Sequence, residues 1–456
     1  MISNIWNDEQ LPTQWLEGII CPIYKKGNKF ECDNYRPITL LNIAYKMFAI
    51  VLNNRLTEII ENKLQDYQMG FRPDRSTIDN IFIIKQIFEK CYEYNIDIHN
   101  IFIDYTHAFD TVHRNKIIEC LIHYNIPNKL IRLIAITLNN TKAKIKVNNS
   151  LSDDLGVKQG DPLSATLFSI VVDLIIRQLD MRGNISTKSK QCIAYADDIL
   201  LTTRSEQAAT ELFVQLKQIS LQFGLVINMN KTKYLKCTKK ESNVSALNID
   251  DYYIDQITSM KYLGVTLNQN NSIEEEIQNR IALGNKAYFA NKTIFSSKLI
   301  SKYAKLKLYR ATIRPVVTYA CETWTLKEAD IRKLLSFERK ILRKIFGPNK
   351  NADGTWSIKT NNELEKIIKN QNIINHIKAQ RLSWFGHIQR MQEDRITKRM
   401  YKWKPIASRT SGRPKNRWED DIMNDIKRLK INNWISEVQN RTQWKSFVEK
   451  AKAFKQ

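Results

Sequence analysis

Ala194-Tyr195-Ala196-Asp197-Asp198 is the stretch that decides how this chain reads. Cys192 and Ile193 precede it and Ile199, Leu200 and Leu201 follow it, so two adjacent carboxylates occupy the tip of an otherwise apolar hairpin. Neighbouring strand residues point to opposite faces, and like charges this close disfavour each other's ionised form. Hard divalent cations prefer carboxylate oxygen and would compensate such a pair. Taken alone, the segment reads equally well as a tight turn with a solvated acidic tip.

A third acid, Asp104, closes a second β-prone run, Asn100-Ile101-Phe102-Ile103. Strand-end acids from two distant segments, joined on one sheet, form a shared metal site. Two ions about 3.5–4 Å apart can activate an attacking hydroxyl and stabilise a leaving phosphate oxygen. Between these runs, Gly160-Asp161-Pro162 reads as a turn into a helix, on which Leu163, Leu167 and Ile170 recur at helical spacing.

These blocks belong to an ordered series. It comprises Tyr35-Arg36-Pro37-Ile38, Gln68-Met69-Gly70-Phe71-Arg72, the Asp104 run, Gln159-Gly160, Tyr195-Ala196-Asp197-Asp198, Gly224-Leu225-Val226-Ile227-Asn228 with Lys231-Thr232, and Tyr262-Leu263-Gly264. In that order, from about Trp15 to about Leu267, the chain resembles the reverse transcriptase of a non-LTR (LINE-type) retrotransposon. The resemblance implies an α+β right-hand polymerase: fingers at 1–90, a palm with the catalytic motifs at 91–270, a helical thumb at 271–349, and a mostly helical basic C-terminal region at 350–456. It implies an RNA-directed DNA polymerase that copies an RNA template into DNA by two-metal-ion nucleotidyl transfer during retrotransposition. Its cofactor would be two Mg2+ ions, with Mn2+ as a substitute. Its partners would be an RNA template, a DNA primer or target DNA, and deoxynucleoside triphosphates. The match starts near Trp15, so the N-terminal endonuclease of complete elements is expected to be absent and the chain to be a fragment or a decayed copy. A remnant that only binds nucleic acid is the competing reading; the presence of all three acids argues for the enzyme.

The same resemblance distributes roles. Asp104 and Asp197 are the expected metal ligands, with Asp198 completing the cluster, whereas Asp110 reads as a helix-start or surface acid. Tyr105 and Phe109 fall at the substrate, and a ring packed under C2′ leaves no room for a ribose hydroxyl; a core aromatic is the alternative for Phe109. Lys25, Lys26 and Arg36 flank a hairpin turning at Gly27-Asn28, where cations would neutralise a triphosphate and Arg offers a bidentate fork. Which lysine does so is open, and so is a plain solvated hairpin. Gln159 and Gly160 would shape the pocket under the nascent base pair. Lys231 would protonate departing pyrophosphate, with Lys233 and Lys236 as rivals for that role. Gln68, Gly70, Phe71 and Arg72 would track the template, where arginine beside an aromatic suits phosphate and stacking alike.

Composition sharpens the partner class. Residues 1–290 hold 33 Lys+Arg against 32 Asp+Glu, whereas residues 291–456 hold 38 against 15, so nearly all of the net +24 lies in the last third. A field this one-sided points to a polyanion. No apolar run reaches the 18 or so residues a membrane helix needs, and the acidic start Met1–Glu9 lacks a signal peptide's basic n-region. Seven scattered cysteines without a CxxC suggest reduced, packed thiols in an intracellular protein. With target DNA as partner, the expected location is the nucleus.

Periodicity predicts an amphipathic helix over Ala44–Ile60 with Ile50, Leu52, Leu56 and Ile59 inward. It predicts strands at 98–105, 190–195 and 199–203, and a helix from Glu206 to Phe223 stopped by Gly224. A longer amphipathic helix runs from Glu328 to a stop at Gly347-Pro348. Beyond 350 lie Trp384, a basic loop at Ser408–Arg417 containing Gly412-Arg413-Pro414, then Trp418, Trp434 and Trp444. This region is expected to anchor nucleic acid without joining the chemistry. The rival view is that its tryptophans pack it onto the preceding helices. Asp420 and Asp421 read as solvated acids rather than part of a ribonuclease H set.

Overall fold

The computed structural model describes residues 2–139, 142–147, 150–151, 160–181, 190–239, 245–249, 252–407 and 417–454. Gln159 and the Gly412-Arg413-Pro414 segment lie outside the described residues. The chain is α+β and divides into two compact units: 1–80 with 98–236 and 243–257, and 81–97 with 237–242 and 258–456.

The first unit is built on a four-stranded sheet in which Lys190–Tyr195, Asp198–Thr203, Ile98–Ile103 and Lys233–Cys237 lie side by side in that order. Every residue of Ile98–Ile103 is buried, as a central strand covered on both faces requires. Its antiparallel neighbour Asp198–Thr203 sets Ile103 opposite Ile199, and this register fixes the acids. The helix Glu206–Gln222 is capped by the Ser205 hydroxyl on Ala208 N–H at 3.3 Å. It buries Leu212, Phe213 and Leu216 and ends at Gly224 with φ +83°. Asp161 starts the next core helix, Ser164–Gln178: its Oδ1 accepts from Leu163 N–H at 2.9 Å while Oδ2 takes the Tyr45 hydroxyl.

The helix Ile43–Ile60 forms as expected but presents a different face. Tyr45, Phe48, Ala49, Leu52, Leu56 and Ile60 are buried, whereas Ile50 is 47% exposed. With apolar side chains nearly all round this helix, periodicity alone does not choose the inner side. The hairpin expected around Gly27-Asn28 pairs Glu17–Tyr24 with Tyr35–Leu40, Tyr24 opposite Tyr35. Lys25 N–H closes it on Asn34 O at 2.8 Å.

The second unit is mainly helical, and its C-terminal residues pack into it, as the rival reading of the tryptophans expects. The helix Ile373–Arg390 buries Arg381, whose guanidinium reaches Asp421 at 2.8 Å, Asp425 at 2.6 Å and the Trp324 carbonyl at 3.3 Å. Trp418 donates its indole N–H to Glu322 O at 2.7 Å, and Trp444 donates to Leu382 O at 2.9 Å. The Phe82 ring packs 4.7 Å from Trp418, and Lys90 Nζ donates to the carbonyls of Met400 and Tyr401, both at 2.6 Å. Residues beyond 350 therefore complete the core of this unit. Asp421 is an ion-paired, largely enclosed acid and not a solvated one, because Arg381 and the Leu326 N–H both need its oxygens. The predicted helix Glu328–Phe346 is present, burying Leu334, Phe337, Ile341, Leu342, Ile345 and Phe346, with Gly347 at φ +71° ending it. Among the described residues, no helix is long and apolar enough to cross a membrane. All seven cysteines are free, and five of them are buried.

Candidate functional site

The acids converge because two strands end together. Asp104 follows Ile103 and Asp198 precedes Ile199, so the Ile103–Ile199 pairing sets the two carboxylates opposite one another at one end of the sheet. Asp197 sits in the two-residue turn between the paired residues Tyr195 and Asp198. That turn holds Ala196 at φ +56°, a conformation that persists for a non-glycine residue only when its surroundings over-determine it. Gln68 does this from inside: its Oε1 accepts Ala196 N–H at 3.0 Å and Gly70 N–H at 2.8 Å, and Met69 N–H reaches Ala194 O at 2.9 Å. Gly70 is required here, since a Cβ on it would lie 2.4 Å from Ala196 N.

Beyond Ile103 the backbone of Asp104 is gripped from the other side. Asn228 N–H donates to Asp104 O at 2.7 Å and Thr106 N–H to Val226 O at 2.9 Å. This pairing places Lys231 Nζ 3.5 Å from Asp104 Oδ2. Lys233 is committed to Asp255 at 2.7 Å, so of these two lysines Lys231 is the one at the acids.

Electrostatics marks the cluster as short of positive charge. Asp198 is pushed up to about 6, first by burial and then by the charges of Asp197 and Asp104. By surface area Asp198 is itself exposed to solvent, so the charges of Asp197 and Asp104 count beside burial. Burial also raises Asp197, helped by Asp104 and opposed by Arg36. The hairpin cation Arg36 is thus near enough to act on Asp197, and Lys25 likewise acts on Asp110. Asp104 Oδ2 is shielded from water and has no hydrogen-bond donor, Lys231 lying at ion-pair distance only. An orphaned carboxylate oxygen beside two carboxylates that resist ionisation fits a hard divalent cation by donor chemistry. Among the described residues, no group of three or more His, Cys, Asp or Glu is drawn in to metal-ligand spacing.

Phe109, Phe168 and Phe71 form a ring cluster that reaches the acids' segment at Tyr195. Phe109, in the short helix Ala108–Thr111, lies 4.5 Å from Phe168 and 6.5 Å from Phe71, and Phe71 lies 6.4 Å from Tyr195. Phe109 is partly exposed and Phe71 is 55% exposed. Gly160, at φ +119°, brings its backbone against strand Tyr35–Leu40, where a Cβ would lie 3.0 Å from Thr39 O. Lys25, Lys26 and Arg36 are all exposed on the hairpin.

Three expected contacts are corrected. Arg72 is buried and spends every guanidinium N–H inside the fold: on the Glu61 carboxylate at 2.8 Å, and on the carbonyls of Gln65 at 2.6 Å, Gln68 at 2.9 Å, Glu61 and Leu64. No donor is left for a template phosphate. Gln68 and Gly70 are likewise buried and brace the acidic turn, leaving Phe71 as the surface residue of that block. The Tyr105 ring is buried, its hydroxyl 2.8 Å from Ser220 Oγ, so it faces the core and not a substrate. Asp110, read as a helix-start or surface acid, is only partly exposed. It does begin a helix, but burial raises its carboxyl and its Oδ1 has no hydrogen-bond partner.

The family described as "Reverse transcriptase (RNA-dependent DNA polymerase)" matches residues 23–267, more than half of the chain. The probable RNA-directed DNA polymerase from transposon X-element of Drosophila melanogaster is 24% identical over 351 residues, 74% of this chain and 38% of that protein. The RNA-directed DNA polymerase from mobile element jockey, from the same fly, is 22% identical over 374 residues, 78% of this chain and 40% of that protein. The chain thus spans about two fifths of the length of these relatives. Among solved structures, telomerase from Candida tropicalis in complex with a fragment of telomeric RNA covers 88% of this chain and 67% of its own at 12% identity and a TM-score of 0.45. The chain belongs to the reverse transcriptase (RNA-dependent DNA polymerase) family, in the group carried by LINE-type transposons.

Proposed function

We propose that this chain is the polymerase portion of a LINE-type element, extending a DNA primer on an RNA template with deoxynucleoside triphosphates. In this reading the first 90 residues supply fingers, 91–270 the palm and 271–349 the thumb, and the enzyme works on target DNA in the nucleus. The observation that carries it is the meeting of Asp104, Asp197 and Asp198 at one end of a buried sheet, with Lys231 beside Asp104 and Arg36 acting on Asp197.

The primer 3′-hydroxyl attacks the α-phosphate, and pyrophosphate leaves. A pair of Mg2+ ions bound by Asp104 and Asp197, with Asp198 adjoining, would supply hydroxyl activation and charge neutralisation. The chain's own groups do the rest. Arg36 and a lysine of the hairpin hold the triphosphate from the solvent side. Lys231 releases Asp104 and gives its proton to the departing pyrophosphate. Phe109, packed on Phe168 and so unable to yield, excludes a 2′-hydroxyl. Phe71 offers an exposed face on which a template base stacks, and Gly160 with Gln159 floors the base pair.

Primer extension by the purified chain on a primed RNA template, across Mg2+ and Mn2+ concentrations, tests this. Template-dependent DNA product is expected. Folded protein that binds RNA but extends nothing would leave only a binding remnant.

A further inference from the structure

The second unit contains a cavity of about 430 Å³ that the polymerase chemistry does not use. Arg314 lines it from the short helix Arg314–Val317, His376 and Gln380 from the helix Ile373–Arg390, and Lys452 from just beyond the helix Arg441–Ala451, with Gln371 and Asn372 at the rim. Its walls are polar amides and cations, with Glu449 as the acid among the lining residues. Lys452 pairs with that acid at 2.6 Å. Arg314 has no such partner among the described residues, and its Nε is buried without any hydrogen bond. Arg310 adds its charge: burial and the cations Arg314, Lys452 and Arg310 hold His376 down to about 4. The nearby Glu338 does not answer this charge outright. Its two oxygens are occupied by the Tyr309 hydroxyl at 3.0 Å and Ile373 N–H at 2.7 Å, and burial raises it to about 7.

An arginine with no ion pair of its own, answered only in part by Glu338, a lysine shared with Glu449 and side-chain amides around a cavity too large for one ion match a phosphate carrying a sugar. The guanidinium fork suits phosphate oxygens, and amides suit a sugar's hydroxyls. We propose that this cavity is a phosphate site that takes one backbone phosphate and its sugar from a single-stranded stretch of nucleic acid. The choice of nucleic acid over a free phosphorylated molecule rests on the polymerase reading. The site would give the basic last third a defined point of attachment where its +23 would otherwise act diffusely.

The test is binding of a labelled single-stranded RNA to the full chain across a salt series, for wild type, Arg314→Gln, Lys452→Gln and Lys445→Gln. Lys445 is exposed on the same terminal helix but does not line the cavity. Losing one phosphate contact should flatten the log–log salt slope by about 0.7 in Arg314→Gln and Lys452→Gln, with Lys445→Gln close to wild type. Arg314→Lys, which keeps the charge, should recover most of the slope. Equal slopes in all folded variants, or an equal loss in Lys445→Gln, would overturn the site. Inorganic phosphate or adenosine monophosphate, added at constant ionic strength, separates the sources. Binding of either that depends on Arg314, with RNA slopes unchanged, would make this a free-ligand site and refute the nucleic-acid occupant. Primer extension by the same wild-type preparation is scored separately, so an active polymerase with unchanged slopes sinks this inference alone.

Discussion

Gln68→Ala should loosen the acidic turn without touching any group at its surface. The Gln68 side chain is fully buried, and its Oε1 receives the N–H groups of Gly70 at 2.8 Å and Ala196 at 3.0 Å. Truncation leaves both donors in the interior, and each unsatisfied buried group costs about 1–3 kcal/mol. Two such groups give about 2–6 kcal/mol, with the lower half expected because a water can enter the space vacated. The turn has an escape as well. Ala196 at φ +56° stores strain of order 1–3 kcal/mol, and once released it can relax by moving Asp197. A displacement near 1 Å would cost roughly 10²-fold in turnover. Hydrogen exchange of peptides covering 190–203 reads the local opening energy, and primer extension reads the rate. Ala196→Gly in the same background, relieving the strain, should restore part of the stability. A Gln68→Ala protein whose hairpin exchanges like wild type and polymerises at full rate would refute the bracing role.

Three further outcomes follow from particular contacts. Glu338 is raised to about 7 against 4.5 when unfolded, so the native state holds a proton that the unfolded chain has lost. Stability from this group is greatest below about 4.5 and falls as pH rises through 7, and thermal melts from pH 5 to 8 should show a flatter profile in Glu338→Gln. Phe109→Val should raise ribonucleotide incorporation relative to deoxynucleotide while leaving synthesis intact; an unchanged ratio in an active variant would make Phe109 a core ring only. Deleting 351–456 should unfold the second unit, because Arg381, Trp418 and Trp444 complete its interior. Limited proteolysis that leaves 258–350 resistant in the truncated chain would contradict this.

The sequence carried the frame of the site well, because that frame is local. Strand-end acids, the turn at Gly160 and the stops at Gly224 and Gly347 each advertise themselves within a few residues. The errors share one cause, which is that a side chain's partner lies far away in sequence. Arg72 and a phosphate-binding arginine look identical until Glu61 and four carbonyls close around the guanidinium. Tyr105 follows Asp104 directly, but its ring turns inward to Ser220. The C-terminal tryptophans gave no hint that Phe82 and Lys90 would share their core, since those residues precede them by some three hundred positions. Net charge does not say which cations are free: in the last third Arg381 is spent on carboxylates and Lys398 on carbonyls of their own unit, while the +23 excess remains.

Asp197→Asn tests the central claim most directly. The substitution keeps the size and backbone of the turn but removes one charge from the cluster, and loss of a single electrostatic stabiliser commonly costs roughly 10²–10³ in rate. Single-turnover extension of a primed RNA template, with binding of the same duplex measured alongside, separates chemistry from affinity. The account predicts a fall of at least about 10²-fold in the extension rate with affinity for primer-template nearly unchanged. Extension at the wild-type rate by Asp197→Asn would show that these carboxylates do not carry the reaction.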